Sequence, residues 1–61
     1  MNIDFIKNRI KELGIKKNFI AKKLGMKNQN FSLFITGKIK LPYKYVPKLA
    51  EILQVEIKDL T

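Results

Sequence analysis

The stretch IKKNFIAKKLGMKNQNFSLFITGKIKLP, from Ile15 to Pro42, decides the fold of this chain. Its apolar residues recur at helical spacing on both sides of Gly25, a residue that can adopt the positive φ of a tight turn. Ala21 lies four residues before that glycine, at a point where a larger side chain would push two crossing helices apart. The rest of the apolar ladder is Ile20, Leu24, Met26, Phe31 and Phe34, closed by Gly37. This pattern predicts two short helices packed against each other across a glycine turn.

The charges of the same stretch point to a polyanionic partner. It contains no Asp or Glu, and all five acids of the chain lie outside residues 13–50, although the net charge is +8. Its lysines are Lys16, Lys17, Lys22, Lys23, Lys27, Lys38 and Lys40. A solubilising lysine-rich surface is the alternative interpretation, but acids and bases are normally interspersed on such a surface. The distribution favours a nucleic acid, with DNA as the first candidate.

Length and composition bound the remaining possibilities. The 61 residues allow a single domain, 1–61, with one small core. Cys and His are both absent, so we expect no disulfide, no metal site and no cofactor, and nothing in the sequence supports catalysis. No apolar run is long enough to span a membrane, and Met1 precedes a helical pattern rather than a signal peptide. We therefore expect a non-enzymatic protein of the cytoplasm, in a bacterium or a phage-infected host cell.

Helical periodicity dominates the whole chain and predicts an all-α fold of four to five short helices. Asn2 or Asp4 can cap a first helix with an apolar stripe at Ile6, Ile10 and Leu13, and Gly14 follows it as a left-handed cap. The second helix is predicted at about 17–24, and the third begins near 27 or 28 and ends before 37. Helix four is predicted at roughly 44–53, with Pro47 in its first turn. A last short turn covers 57–60.

With this arrangement of helices and glycines, the sequence resembles the helix-turn-helix proteins of the lambda repressor and Cro class, also called the XRE family. The family's Ala, Gly, aliphatic and Gly positions fall on Ala21, Gly25, Phe31 and Gly37. Its later Pro falls on Pro42, and its P-x-L-A stretch falls on residues 47–50. The resemblance covers about 5–60. It implies a compact lambda-repressor-like domain with the helix-turn-helix at helices two and three, although an ordinary helical bundle without DNA binding remains the alternative.

In such folds the second helix of the pair enters the major groove of DNA and meets base edges. With Phe31 and Phe34 facing the core, the outward residues of segment 28–36 become candidate base contacts. These are Asn28, Gln29, Ser32 and Leu33. Asn and Gln amides can pair with adenine in a bidentate manner, and a leucine can meet thymine methyl groups, so we expect A·T-rich half-sites. The alternative for the amides at 28–30 is simple capping of the helix.

Contacts to the DNA backbone are expected from residues around the base-reading ones. By resemblance, Lys17 takes a position near the N-terminus of helix two that meets a phosphate, and the loop after helix three crosses the sugar-phosphate chain. The candidates are Lys17, Lys27, Asn30, Thr36, Lys38, Lys40, Tyr43 and Lys44. For Tyr43, an equally acceptable interpretation is that its ring covers the loop at Pro42.

Three positions depart from the family pattern. Ile10 and Ile35 stand where many relatives hold an Arg–Glu ion pair, so we expect both isoleucines to meet in the core. Phe19 stands at a usually polar position, where it either packs on the N-terminal segment or remains exposed as a partner surface. Gln54 replaces the glycine that commonly ends helix four, which leaves the sharpness of that turn open.

The leading functional hypothesis is a sequence-specific double-stranded DNA-binding transcriptional regulator of the phage repressor or Cro type. One helix reads only a few base pairs, so we expect a homodimer on a palindromic operator, weak alone and assisted by DNA. Its interface is expected at the C-terminal turn, with Ile57 and Leu60, and at the exposed flanks of helix four. The alternative is a protein-binding adapter, an antitoxin or anti-repressor, that uses the same fold on a partner. A membrane-active peptide is disfavoured because the apolar residues are expected to be buried in a globular core.

Overall fold

The computed structural model describes residues 1–61 and contains four α-helices and two 3₁₀ turns, with no strand. The helices are α1 (Ile3–Leu13), α2 (Lys17–Leu24), α3 (Asn28–Ile35) and α4 (Val46–Leu53). The 3₁₀ turns are Tyr43–Tyr45 and Ile57–Leu60. The all-α prediction is therefore confirmed, and the helix bounds follow the sequence pattern closely. None of the helices combines the length and the apolar character needed to cross a membrane.

Local capping explains where α1 begins and ends. Asn2, rather than Asp4, is the cap, because its Oδ1 accepts a hydrogen bond of 3.0 Å from the backbone N–H of Phe5. Asp4 instead lies in the first turn, where a negative charge interacts favourably with the helix dipole. At the other end, Gly14 takes the left-handed conformation at φ 68°, and its N–H donates to the carbonyl oxygens of Ile10 and Lys11.

Helix α4 begins slightly later than the sequence predicts. Residues 43–45 form a 3₁₀ turn, and the α-helix starts at Val46 with Pro47 in its first turn, where a missing N–H is tolerated. At the C-terminus, Gln54 adopts the left-handed conformation at φ 58° and ψ 43°. The turn is therefore as sharp as a glycine would make it, at a cost of about 1 kcal/mol for a residue with a Cβ atom.

The core consists of 14 buried residues, all of them apolar. Phe31 and Phe34 are essentially inaccessible to solvent, and their ring centroids lie 5.9 Å apart in a tilted arrangement. Ile10 and Ile35 are both buried in this same cluster, as expected for apolar replacements of an ion pair. The other core residues are Ile6, Ile20, Ala21, Leu24, Leu41, Val46, Leu49, Ala50, Leu53 and Leu60. Every element thus contributes to one hydrophobic cluster, apart from the first 3₁₀ turn.

Two hydrogen bonds tie the N-terminal helix to the C-terminal part of the chain. The Nε–H of Arg9 donates to the carbonyl oxygen of Leu53 at 2.8 Å. The backbone N–H of Asn2 donates to the carbonyl oxygen of Leu60 at 2.7 Å. Leu60 itself is fully buried. The expectation that its side chain forms a dimer interface is therefore wrong, because that side chain completes the monomer's own core.

Candidate nucleic-acid interface

Helices α2 and α3 pack against each other through a three-residue connection, 25–27. Gly25 has φ 80°, and its N–H donates to the carbonyl of Lys22 at 3.2 Å. The next N–H, of Met26, donates to Ala21 at 3.0 Å. These two bonds form a Schellman motif, which ends α2 abruptly and lets α3 start after a short connection. The α2–α3 pair is the element that positions the candidate site.

The four predicted base-contact residues lie on the solvent side of α3. Asn28, Gln29 and Ser32 are exposed and Leu33 is half-buried, whereas Phe31, Phe34 and Ile35 form the buried face. Asn28 and Ser32 are four residues apart, as are Gln29 and Leu33, so all four share one face. Eight residues of helix extend about 12 Å, a length that fits within the major groove of B-DNA.

Both helices of the pair begin without a side-chain cap. The N-cap residues are Lys16 for α2 and Lys27 for α3, and neither helix has an acid in its first turn. The backbone N–H groups of five residues consequently donate to no protein acceptor: Lys17, Asn18, Asn28, Gln29 and Asn30. Clustered free amides at a helix N-terminus favour an anion. Helix α1 and the last 3₁₀ turn are capped by side chains, although the N–H groups of Ile3 and Asp4 at the start of α1 also have no acceptor.

The capping alternative for the amide side chains of α3 is not realised. Asn28, Gln29 and Asn30 accept no hydrogen bond from the helix backbone, and the extended residue before the helix is Lys27. Their amide groups are therefore available to an external partner. The signal for the uncapped ends was present in the sequence, since Lys stands where Ser, Thr, Asp or Asn would normally cap.

The predicted backbone-contact residues are all exposed, with one restriction. Lys17, Lys27, Asn30, Thr36, Lys38, Lys40, Tyr43 and Lys44 all lie on the surface. The Thr36 hydroxyl, however, donates to the carbonyl of Leu33 at 3.0 Å. A phosphate can only accept hydrogen bonds, so Thr36 can donate to one only after giving up this internal bond. This side chain caps the end of α3 in the free protein.

Tyr43 and the lysines around it make no ion pair and no side-chain hydrogen bond, although the Lys44 ammonium lies 5.2 Å from the centre of the Tyr45 ring. The Tyr43 side chain is 83% exposed and makes no hydrogen bond, so its ring does not cover the Pro42 loop. The ion pairs of the chain are Arg9–Glu12, Lys48–Glu51 and Lys58–Glu56. No lysine between 15 and 44 is paired with an acid, and the positive charge of this surface is therefore uncompensated within the molecule.

Arg9 makes a contact that the sequence did not indicate, and Phe19 takes the exposed one of its two expected environments. Arg9 reaches across to α4, and no motif signals that bond because its acceptor is a backbone carbonyl far along the chain. Phe19 is 47% exposed, so the expectation that the N-terminal segment covers its ring is not met. The Lys23 ammonium lies 5.5 Å from the centre of that ring instead.

Comparisons with protein-family models, with curated proteins and with solved structures found no match to this chain. Function must therefore be inferred from the residues of the molecule itself.

Proposed function

We propose that this protein is a sequence-specific double-stranded DNA-binding transcriptional regulator, with α2 and α3 as a helix-turn-helix and α3 in the major groove. The observation that carries the proposal is that the helix N-termini at 17–18 and 28–30 have no side-chain cap, and that the second of them also carries the exposed amide side chains of Asn28 and Gln29. Free backbone amides stabilise a phosphate, whereas side-chain amides recognise base edges. Both kinds of donor lie in the stretch 15–42, which contains no acid.

Base recognition is assigned to the outward face of α3. Gln29 and Asn28, in the first turn, would donate to and accept from an adenine, a contact worth roughly 1–3 kcal/mol of discrimination. Leu33 is half-buried, so only part of its side chain is available to a thymine methyl group. Ser32 lies one turn beyond Asn28 on the same face. These residues support recognition of A·T-rich half-sites.

Affinity is assigned to the surrounding cations and backbone amides. Lys17 and Lys27 flank the uncapped helix ends, while Lys38, Lys40 and Lys44 follow α3 in the chain, with Tyr43 among them. Each phosphate neutralised lowers the slope of log K against log salt by about 0.9. Engagement of four to six lysines per half-site would therefore give a slope of roughly −4 to −5 per protomer.

Specific recognition of a useful length of DNA requires two copies of so small a domain. We infer a weak homodimer that DNA assists, bound to a palindromic operator in the cytoplasm. Because Leu60 is buried, the proposed interface consists of Ile57, which is 43% exposed, with the half-buried Ile52 and Val55. Three residues are far fewer than the roughly 20–30 per partner of a stable protein–protein interface, so we expect the dimer to need the duplex.

The test is selection of duplexes from a random pool by the full chain, at two salt concentrations. An inverted repeat of A·T-rich half-sites, with binding that weakens steeply as salt rises, is the expected result. Half-sites dominated by G·C would contradict the assigned readout. Equal, salt-sensitive binding to every duplex would leave a non-specific DNA-binding protein, and no binding even at low salt would favour the adapter alternative.

A further inference from the structure

A second surface lies on α2, on the side of that helix opposite to the core. Ile20, Ala21 and Leu24 are buried, whereas Phe19, Lys22 and Lys23 are exposed at the i, i+3 and i+4 positions of one face. These last three residues, which we call the Phe19 surface, line an open depression of about 440 Å³. None of the candidate base-reading residues of α3 contributes to it.

We propose that the Phe19 surface binds an acidic protein segment that also carries an apolar side chain. This inference does not depend on DNA binding. The argument for an acidic occupant is charge complementarity, since neither Lys22 nor Lys23 is paired with an acid in the molecule. The argument for an apolar component is Phe19 itself, which is 47% exposed beside the Lys23 ammonium instead of being covered by its own chain.

The position of Lys23 decides between a protein segment and a nucleic acid. Its ammonium lies 5.5 Å from the centroid of the Phe19 ring, within the range of a cation–π contact. An unpaired base that stacked on that face would have to displace this ammonium. A carboxylate can bind the ammonium where it stands while a neighbouring aliphatic or aromatic side chain contacts the rest of the ring. The geometry thus favours an acidic peptide over a single-stranded nucleic acid.

The experiment uses the full chain and labelled synthetic peptides, with fluorescence anisotropy and amide chemical-shift mapping as measurements. One probe is a glutamate-rich peptide containing two phenylalanines; the second has both phenylalanines replaced by serines. An unstructured oligothymidine provides the nucleic-acid comparison. We expect the first peptide to bind more tightly than the other probes, with shift changes concentrated on 19–23.

Matched variants separate this surface from general electrostatics. Phe19→Ala should weaken binding of the first peptide roughly tenfold, whereas Tyr43→Ala, at another exposed aromatic beside a lysine, should change it less than about twofold. The pair Lys22→Gln and Lys23→Gln should weaken it more than Lys7→Gln and Lys11→Gln, which remove the same charge from α1. All four lysines are exposed on helices.

Three results would overturn the proposal. The first is equal binding of both peptides together with equal losses in the two lysine pairs, which would leave only non-specific attraction. The second is tighter binding of oligothymidine with shift changes at Phe19, which would make the surface a base-stacking platform. The third is the absence of binding of the first peptide to the wild-type chain at low salt, while circular dichroism shows that chain to be folded.

Discussion

Replacing Lys27 by Ser should stabilise the protein and weaken its binding to DNA. Lys27 is the N-cap of α3, with φ −67° and ψ 142°, an extended conformation that a capping serine adopts. The N–H groups of Gln29 and Asn30 have no acceptor in the molecule, and a serine hydroxyl at position 27 could accept from either. A new cap of this kind contributes about 1 kcal/mol, which corresponds to a rise in Tm of about 4–8 °C for a domain of this size.

The same change removes a cation and occupies an amide that we assign to a phosphate. The salt slope of DNA binding should fall in magnitude by about 0.9, and affinity near 0.15 M salt should fall roughly fivefold. Thermal and urea unfolding measure the first effect, and anisotropy titrations of a labelled duplex measure the second. Lys7→Ser in α1 is the matched control, because it removes the same charge from a helix whose start Asn2 already caps.

Only opposite signs for stability and affinity support this reasoning. A Lys27→Ser protein that is no more stable than the wild type would show that the α3 amides already have a partner. Increased stability with unchanged DNA affinity would remove the N-terminus of α3 from the interface. The Lys7→Ser control should lose a few tenths of a kcal/mol through helix propensity and gain no cap.

Three further substitutions test a hydrogen bond, an ion pair and a left-handed residue. Arg9→Met keeps the aliphatic stem but loses the 2.8 Å bond to Leu53, so the free energy of unfolding in urea should fall by about 2 kcal/mol. Glu12→Gln should lower the free energy of unfolding by less than about 0.5 kcal/mol, because its ion pair with Arg9 is 3.7 Å long and the Glu12 side chain is 68% exposed. Equal losses of stability in Arg9→Met and Glu12→Gln would show that the ion pair, and not the hydrogen bond to Leu53, dominates. Gln54 has a Cβ atom in the left-handed conformation at φ 58°, which glycine adopts without strain. Gln54→Gly should therefore raise the free energy of unfolding by up to about 1 kcal/mol and raise Tm, and a lowered Tm would refute this explanation.

Helix positions were predictable because each boundary has a local cause. Gly14 and Gly25 end their helices by adopting positive φ, and the apolar spacing identifies the buried faces of α1, α2 and α3. The late start of α4 was not predictable in the same way. A 3₁₀ turn and an α-helical turn satisfy similar local preferences, so the sequence alone does not separate Tyr43–Tyr45 from the α-helix that follows.

The misjudged side chains all depend on contacts distant in sequence or on a choice between two acceptable packings. Leu60 could lie either in a dimer interface or in the monomer core, and only the folded chain places it beneath α1 and α4. Phe19 could be covered or exposed for the same reason. The Thr36 hydroxyl donates to a carbonyl three residues earlier, that of Leu33. The expected acceptor, a DNA phosphate, belongs to a different molecule.

The candidate site itself was largely predictable from the sequence, because exposure on α3 follows from the buried phenylalanines. Once Phe31 and Phe34 face the core, helical geometry puts Asn28, Gln29 and Ser32 on the solvent side. The free backbone amides at the helix ends were predictable only in part. Lysines before the helices indicate them, but the folded structure decides which residue acts as the cap and whether a nearby side chain accepts from the amides.

In the proposed complex, base recognition and phosphate attraction belong to different residues. The most direct measurement compares Gln29→Ala and Lys38→Gln on a selected duplex and on a scrambled duplex of equal length. Gln29→Ala should weaken binding to the selected duplex by roughly tenfold and leave binding to the scrambled one and the salt slope unchanged. Lys38→Gln should weaken binding to both duplexes and reduce the slope by about 0.9. An equal loss on both duplexes for Gln29→Ala, or no loss on either, would contradict the account.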